Sequence, residues 1–234
     1  MKSLTHLLNK DVRLKEGLNA CMNCGICTAI CPAAEYFEYD PRTIVNAVQS
    51  HNEEMIQKLI ESDTIWMCGQ CMSCKTRCPR NNCPGLIINI LRKISQETGA
   101  FIKSRLGRQQ FLLVKTIGAN ILKYGYCVNP HSVIPSGHPE QGPVWEWIYE
   151  NKEKVYERVG ANLDKEGAGA MRKIDQEDLN DLDYIFTESG GKLLFQTIEK
   201  YSMKKAFELG FTDSKGNPDM ERYIDYLQNE DDEE

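Results

Sequence analysis

The chain has 234 residues but no long apolar run and no excess of positive charge. Its best candidate for an apolar segment, FLLVKTIGANIL at residues 111–122, is twelve residues long and contains a lysine. A helix that spans a bilayer needs about 20 apolar residues, so we expect no transmembrane segment. The net charge is −6, whereas a protein that binds nucleic acid without sequence preference needs a basic face. We therefore expect no nucleic-acid partner.

A secretory signal is also missing from the first 17 residues, which have no continuous apolar core and no small-residue cleavage site. The expected compartment is the cytoplasm, and any membrane association would come through a complex. Cytoplasmic thiols are kept reduced, so the ten cysteines indicate metal binding and not disulfides. The sequence has no catalytic triad, no phosphate-binding loop and no adjacent cysteine pair, so it indicates no catalytic residue of its own.

Eight of the ten cysteines form two runs, CMNCGICTAICP at residues 21–32 and CGQCMSCKTRCP at residues 68–79. Both runs read C-x2-C-x2-C-x3-C-P, and each cysteine of the second lies 47 residues after its counterpart in the first. The pattern is therefore an internal repeat in register, prolines included. The candidate metal ligands are the eight cysteines of the two runs: Cys21, Cys24, Cys27, Cys31, Cys68, Cys71, Cys74 and Cys78.

The spacing favours iron–sulfur clusters over zinc, because a structural zinc site usually takes two cysteine pairs separated by a longer loop. Three thiolates at positions i, i+3 and i+6 can hold one face of a 4Fe–4S cube, and the fourth cysteine, followed by proline, ligates the other cluster. We therefore predict two 4Fe–4S clusters with crossed ligand sets. The sets are Cys21, Cys24, Cys27 and Cys78 for one cluster, and Cys68, Cys71, Cys74 and Cys31 for the other.

The segments around the two runs predict helices. Residues 40–49, 52–63 and 84–99 carry apolar side chains at helical spacing. Asp40 is in the position of an N-cap, and Gly99 is in the position where a helix stops. Strand signals are few, so the predicted fold class is all-α, with a two-cluster domain over residues 1–100.

Residues 101–234 are predicted to form a helical C-terminal extension. Further helices are expected at 107–125, 144–160, 174–186 and 192–209, followed by the acidic tail NEDDEE. An aromatic cluster in the second of these helices suits either core packing or contact with another subunit. We expect this extension to dock partners.

Cys83 and Cys127 lie outside the two runs. Cys83 follows Cys78 by five residues, so it could be an alternative ligand, a redox-active thiol or a small buried residue at a helix start. Buried free cysteines are common, which favours the last interpretation. The same expectation of burial applies to Cys127, which has no metal-binding residue type beside it.

The stretches CMNCGICTAICP and IWMCGQCMSCKTRCPR, followed by an amphipathic helix, resemble the C subunit of heterodisulfide reductases. Trp66 and the string RCPR at residues 77–80 strengthen the resemblance, which covers about residues 15–100. The 36 residues between the runs are too long for the small β-hairpin ferredoxins and fit the α-helical ferredoxin fold. The length of the chain resembles the C subunit of the heterodisulfide reductase-like complex of sulfur-oxidising prokaryotes.

The resemblance implies an electron-transfer subunit and not the catalytic subunit. It would relay electrons between a flavin-containing subunit and a cysteine-rich subunit that converts a disulfide or sulfur substrate. A lipoate-binding protein would be an indirect partner in the sulfur-oxidising form. Two alternatives stay open: the iron–sulfur subunit of a membrane-bound, quinone-linked dehydrogenase of the succinate or glycerol-3-phosphate type, and an iron–sulfur redox sensor.

Overall fold

The computed structural model describes residues 3–138 and 141–229, and helices dominate this part of the chain. It contains no β-strand within those ranges, only an isolated bridge between Thr212 and Pro218. The prediction of an all-α fold is confirmed. The predicted acidic tail falls almost entirely at residues 230–234, outside the described residues. The chain divides into two compact units, residues 1–108 and 109–234.

Short helices surround one long helix in the first unit. A 3₁₀ turn at Thr64–Trp66 precedes the second cysteine run, and another follows at Ala100–Lys103. The α-helices are α1 (Leu4–Lys10), α2 (Arg13–Gly17), α3 (Ile26–Ala29), α4 (Ala33–Tyr36), α5 (Pro41–Gln49), α6 (Glu53–Ile60), α7 (Ser73–Thr76), α8 (Pro84–Thr98) and α9 (Arg105–Arg108).

Helix α8 is the centre of this unit, and α1, α2, α5 and α6 all pack against it. It begins with Pro84. Proline lacks a backbone N–H, but an N–H in the first turn has no partner within the helix, so no helical hydrogen bond is lost. It ends at Gly99, which adopts the left-handed conformation with φ of 77°. The core consists largely of aliphatic side chains, each contributing about 1.5–3 kcal/mol when fully buried. They include Leu8, Ile44, Val45, Ile56, Ile60, Ile87, Ile88, Ile90, Leu91 and Ile94.

Helix α5 begins as its sequence predicts. The Asp40 side chain accepts a hydrogen bond from the backbone N–H of Arg42 at 2.8 Å, and Pro41 occupies the first helical position. Its apolar residues Ile44 and Val45 face the core. Three cysteines, Cys21, Cys31 and Cys68, pack against this same core. The packing of α5 and α8 therefore also positions parts of both cysteine runs.

The second unit is built from shorter and less regular helices. Its core contains Phe111 and Tyr223, whose ring centroids lie 6.2 Å apart. A π-helical segment spans Val114–Gly118. The α-helices are α10 (Gln110–Leu113), α11 (Ala119–Tyr124), α12 (Gly142–Glu150), α13 (Lys152–Arg158), α14 (Gln176–Glu188), α15 (Gly191–Glu208) and α16 (Met220–Asn229).

One predicted helix is wrong in its regularity and another in its continuity. The helix expected at 107–125 has a turn at residue 109 and then continues from Gln110 to Tyr124, with a π segment at Val114–Gly118. Within the π segment, Gly118 lies so close to the ring of Phe195 that a Cβ atom there would be 2.9 Å from it. The helix expected at 144–160 breaks at Asn151, whose side chain donates to the Trp147 carbonyl at 2.9 Å. Such local hydrogen bonds compete with continuation of the helix.

Candidate metal centres

Two cavities lie in the first unit, and four cysteines line each of them. Each cavity encloses about 380 Å³ of space between protein atoms, including the part open to solvent, so the two do not differ in size. Pro84 lies in the wall of both. The grouping supports the predicted ligand sets, which remain a prediction. Cavity one is lined by Cys21, Cys24, Cys27 and Cys78, and cavity two by Cys31, Cys68, Cys71 and Cys74.

Each run thus places three cysteines in one cavity and its fourth in the other. The proline after the fourth cysteine lies in the same cavity as that cysteine: Pro32 with Cys31 in cavity two, and Pro79 with Cys78 in cavity one. Because proline restricts φ to about −65°, it limits how the chain leaves each run. The placement of the fourth cysteine in the other cavity therefore depends on the local backbone as well as on the tertiary fold.

Two hydrogen bonds join the segment before the first run to the segment after the second. The backbone N–H of Cys83 donates to the Gly17 carbonyl at 2.9 Å. The backbone N–H of Asn19 donates to the side-chain oxygen of Asn82, which is buried. Buried polar groups of this kind are costly unless paired, so the two bonds hold the segments together. They bring the last cysteine of the second run beside the first cysteine of the first run.

Arg92, on α8, fixes the start of the second run. Its guanidinium donates to the carbonyls of Ile65 at 2.8 Å, Trp66 at 2.9 Å and Cys68 at 2.7 Å. It also lies over the Trp66 ring, 5.4 Å from its centroid. Burial lowers the pKa of Arg92 from its ordinary value, but the three carbonyls satisfy the charged group. The chain entering cavity two is therefore held from the core side.

The sequence repeat extends to the backbone conformation. Asn23 and Gly25 of the first run have φ of 61° and 79°. Their counterparts 47 positions later, Gln70 and Met72, have φ of 54° and 58°. The left-handed region costs little for glycine but about 1–2 kcal/mol for residues with a Cβ atom. Both runs therefore adopt the same turns, and the second retains them at Met72 despite that cost.

Exposure also follows the repeat. Cys24 in the first run and Cys71 in the second are exposed, whereas the other six cysteines of the runs are only partly exposed. These two residues occupy equivalent positions. One corner of each four-cysteine set therefore reaches the protein surface.

Two thiols of cavity two differ in acidity. Burial raises the pKa of Cys74 to about 11, whereas a hydrogen bond with Ser73 lowers the pKa of Cys71 below its ordinary value. In cavity one, burial raises the pKa of Cys27. Metal binding requires thiolates, so loading either cavity releases protons.

The residues present fit a cubane cluster. Each cavity offers four thiols and no carboxylate or imidazole. In the described part of the chain, no three His, Cys, Asp or Glu side chains converge closely enough for a single metal ion. In a cubane each thiolate binds a different iron, so its ligands surround a space. Gly85 lies in the wall of cavity two, where a Cβ would be 2.7 Å from the Met72 sulfur and 3.9 Å from the Cys74 sulfur.

The two cavities differ in their other lining residues. Cavity one has two cations, Arg42 and Arg80, and Arg42 is paired with Asp40 at 2.9 Å. Its apolar residues Met22 and Ile26 are exposed. Cavity two has the buried side chain of Tyr39 in its wall. The same arrangement of cysteines is thus placed in two chemically different environments.

Tyr39 and Arg92 were not among the candidate residues that the sequence indicated. Tyr39 precedes the N-cap Asp40 directly, and nothing in its neighbours marks it as a cavity residue. Arg92 offers a weak signal, because it follows the buried Ile88 by one helical turn and a charge on a buried face needs partners.

The two remaining cysteines differ from each other. Cys83 is 1% exposed at the start of α8, lies outside both cavity linings and contacts the Met72 sulfur at 3.6 Å. This agrees with the interpretation of a small buried residue at a helix start. Cys127 is exposed, so the expectation of burial is wrong for that residue. Its place in the short loop after α11 leaves it without covering side chains.

Within the described ranges, no helix is long and apolar enough to cross a membrane. A family model described as a 4Fe-4S dicluster domain matches residues 17–82, which contain both cysteine runs. The prediction of 4Fe–4S clusters as the cofactor is therefore confirmed.

Similar proteins are the C subunits of heterodisulfide reductases. The C subunit of the ferredoxin:CoB-CoM heterodisulfide reductase of Methanosarcina acetivorans is 34% identical over 161 residues, which cover 68% of this chain and 61% of that protein. The second iron-sulfur C subunit of the CoB–CoM heterodisulfide reductase of Methanocaldococcus jannaschii is 26% identical over 154 residues, or 64% and 75% of the two chains. The iron-sulfur C subunit of Methanopyrus kandleri is 38% identical over 82 residues, or 34% and 41%.

Proposed function

Because the chain belongs to the family of heterodisulfide reductase C subunits, we propose that it is the electron-relay subunit of a heterodisulfide reductase-like complex. It would connect a flavin-containing subunit with a cysteine-rich subunit that converts a disulfide or sulfur substrate. The observation that carries the proposal is the pair of four-cysteine cavities that share Pro84 as a common wall.

The donor sets support a relay and not a catalytic centre. Each cavity supplies four thiols, one for every iron of a cubane. When bound, such clusters supply one-electron transfer. The chain contributes position and environment: it holds both cavities on the start of α8, packs three of the cysteines against the apolar core, and restricts water on that side.

The exposed cysteines support contact with two partners. Cys24 belongs to cavity one and Cys71 to cavity two, and both reach the surface. A redox partner can therefore approach either cavity at its exposed corner. Short distances between cofactors favour electron transfer, so these corners are the expected entry and exit points.

The names of the relatives support a complex of this class. They describe subunits of enzymes that act on the CoB–CoM heterodisulfide, with ferredoxin or hydrogen as other reactants. The chain spans about three fifths of the Methanosarcina protein, so the complete enzyme's substrate and partners are proposed as chemical classes only. The sulfur-oxidising form, with a lipoate-binding protein nearby, is the finer version of the same proposal.

The second unit is proposed to dock partner subunits. Helices α14 and α15 expose large apolar side chains, among them Tyr184, Ile185, Leu193 and Phe207. Exposed apolar surface of this kind is enriched at protein interfaces. A partner that covers it would be held in the same complex as the two cysteine cavities.

Anaerobic purification of the native protein from its source cells, with mass spectrometry of the co-purifying subunits, tests the proposal. We expect a flavoprotein together with a subunit rich in paired cysteines. A lipoate-binding protein beside them would support the sulfur-oxidising form. A flavin dehydrogenase with membrane subunits and no paired-cysteine partner would contradict the proposal in favour of a quinone-linked enzyme.

A further inference from the structure

Tyr39 carries a buried hydroxyl whose one indicated partner is a cysteine sulfur. The residue is 4% exposed, its hydroxyl forms no well-aligned hydrogen bond with a described group, and the Cys68 side chain interacts with it as a looser hydrogen-bond partner. Buried hydroxyl groups normally have a partner, because leaving one unpaired costs free energy. A hydroxyl in the wall of a cofactor cavity, with a candidate ligand sulfur as its one indicated neighbour, points to a partner on the cofactor side.

The position of Tyr39 is fixed from both sides along the chain. Its backbone N–H donates to the Phe37 carbonyl at 2.7 Å. The next residue, Asp40, caps α5 and is held by Arg42 and by the Thr28 hydroxyl. The backbone that carries the ring is therefore held in place, and the residue is buried from solvent.

Two sulfurs of cavity two, those of Cys68 and Cys31, lie near this hydroxyl. Tyr39 lies in the wall with Cys31 and Cys68. Burial raises the pKa of Tyr39 far above its ordinary value, and the nearby sulfurs of Cys68 and Cys31 add to the effect. A tyrosine hydroxyl is protonated at neutral pH, so it can donate a hydrogen bond to one of these sulfurs.

We infer that the Tyr39 hydroxyl donates a hydrogen bond to sulfur of the cluster in cavity two, on the Cys68 side, and thereby raises that cluster's reduction potential. This inference depends on the proposed ligand sets. Reduction adds one negative charge that spreads onto the sulfurs, and a donor directed at them stabilises the reduced form more than the oxidised form. Hydrogen bonds to sulfur are among the established determinants of cluster potential.

Cavity one provides an internal reference. No serine, threonine or tyrosine occurs among the residues that line it, all of which belong to the described chain. Removal of the Tyr39 hydroxyl should therefore change one potential in a protein that holds two clusters. Tyr36 provides a matched control, since it is 76% exposed and lies outside both linings.

The test is a potentiometric titration of the anaerobically purified protein, followed by electron paramagnetic resonance, in wild type, Tyr39→Phe and Tyr36→Phe. The signal that Cys78→Ala removes is assigned to cavity one. We expect Tyr39→Phe to lower the reduction equilibrium constant of the other cluster about threefold to tenfold, and tenfold is about 59 mV for one electron. The cavity-one cluster and the Tyr36→Phe protein should keep wild-type potentials.

A second measurement covers the case in which Tyr39→Phe fails to load. In wild-type protein exchanged into D₂O, electron–nuclear double resonance should show an exchangeable deuteron coupled to the cavity-two cluster, and absence of that coupling overturns the inference. Two intact clusters with unchanged potentials in Tyr39→Phe overturn it while leaving the proposed relay standing. A wild-type protein without a cluster in cavity two overturns both.

Discussion

The two cysteine cavities share a spacing, a volume and a set of backbone turns, yet their surroundings differ. Cavity one is lined by the exposed apolar side chains of Met22 and Ile26 and by the two cations Arg42 and Arg80. Cavity two has the buried Tyr39 in its wall and no charged residue among the described residues that line it. Since cluster potential depends on charge, hydrogen bonding and exposure, the two clusters should be reduced at different potentials.

The difference between the two cavities separates what the cysteine runs determine from what the surrounding helices determine. The repeated runs provide ligands and turns, and these are the same in both halves. The environment comes from the helices that pack beside each run, and the repeat does not specify them. Two clusters with different reduction potentials can therefore be bound by two runs of the same sequence pattern.

The largest expected effect comes from removing a crossed ligand. Cys78→Ala should cost about four of roughly eight irons per chain and eliminate the cluster that Cys21, Cys24 and Cys27 also bind. Cys31→Ala should eliminate the other. Iron analysis and electron paramagnetic resonance check both variants. Cys83→Ala is the control and should retain all the iron. Loss in Cys78→Ala of the signal that Cys68→Ala removes would show that the ligand sets are not crossed.

A smaller effect is expected from the turns that the two runs share. Gly25 has φ of 79°, so Gly25→Ala should destabilise the loaded protein by about 1–2 kcal/mol. The control is Gly69→Ala in the second run, where a Cβ atom would meet nothing within 4 Å; its effect should stay within about 0.5 kcal/mol. Anaerobic denaturant titration followed by circular dichroism measures both. Equal losses would mean that backbone strain is not the cause.

Removing a cation from the wall of cavity one should shift the reduction potential of the cluster in that cavity alone. Arg80→Gln removes a cation from the wall of cavity one and should lower the potential of that cluster by about 30–60 mV, because the reduced form loses a stabilising charge. The shift should shrink at high ionic strength, since Arg80 is exposed. The matched control is Arg77→Gln, a nearby exposed residue outside both linings. A shift of the cavity-two cluster instead would contradict the assignment.

The smallest expected effect concerns the reactivity of the thiols in wild-type protein from which the iron has been removed. Alkylation requires the thiolate, so Cys71, with its lowered pKa, should react first. Cys74 should react slowly at neutral pH, and its rate should keep rising as pH approaches about 11. Mass spectrometry of timed alkylation at several pH values measures the order. Faster modification of Cys74 than of Cys71 at pH 7 would show that cavity two opens when the iron is lost.

Much of the first unit follows from local signals. The cap at Asp40, the proline at the start of α8 and the stop at Gly99 each depend on residues within one helical turn, and those helices form where expected. The cysteine grouping was also accessible, because spacing alone distinguishes a cubane run from paired zinc ligands.

The features that the sequence could not predict all depend on distant partners. Tyr39 is a cavity residue only because α5 and the second run meet, and Arg92 binds carbonyls 24–27 positions away. The π segment in the second unit likewise lies where Gly118 packs against Phe195. The spacing of apolar residues within a single helix does not predict such contacts.

The crossed arrangement of the cavities has a consequence for how this protein matures in the cell. Neither four-cysteine set is complete until two segments 47 residues apart have come together. With those sets as ligands, a chain that has folded only one run can bind neither cluster fully. Complete insertion of the cofactors therefore requires the tertiary structure. Loss of one cluster would likewise leave cysteines of both runs without their iron.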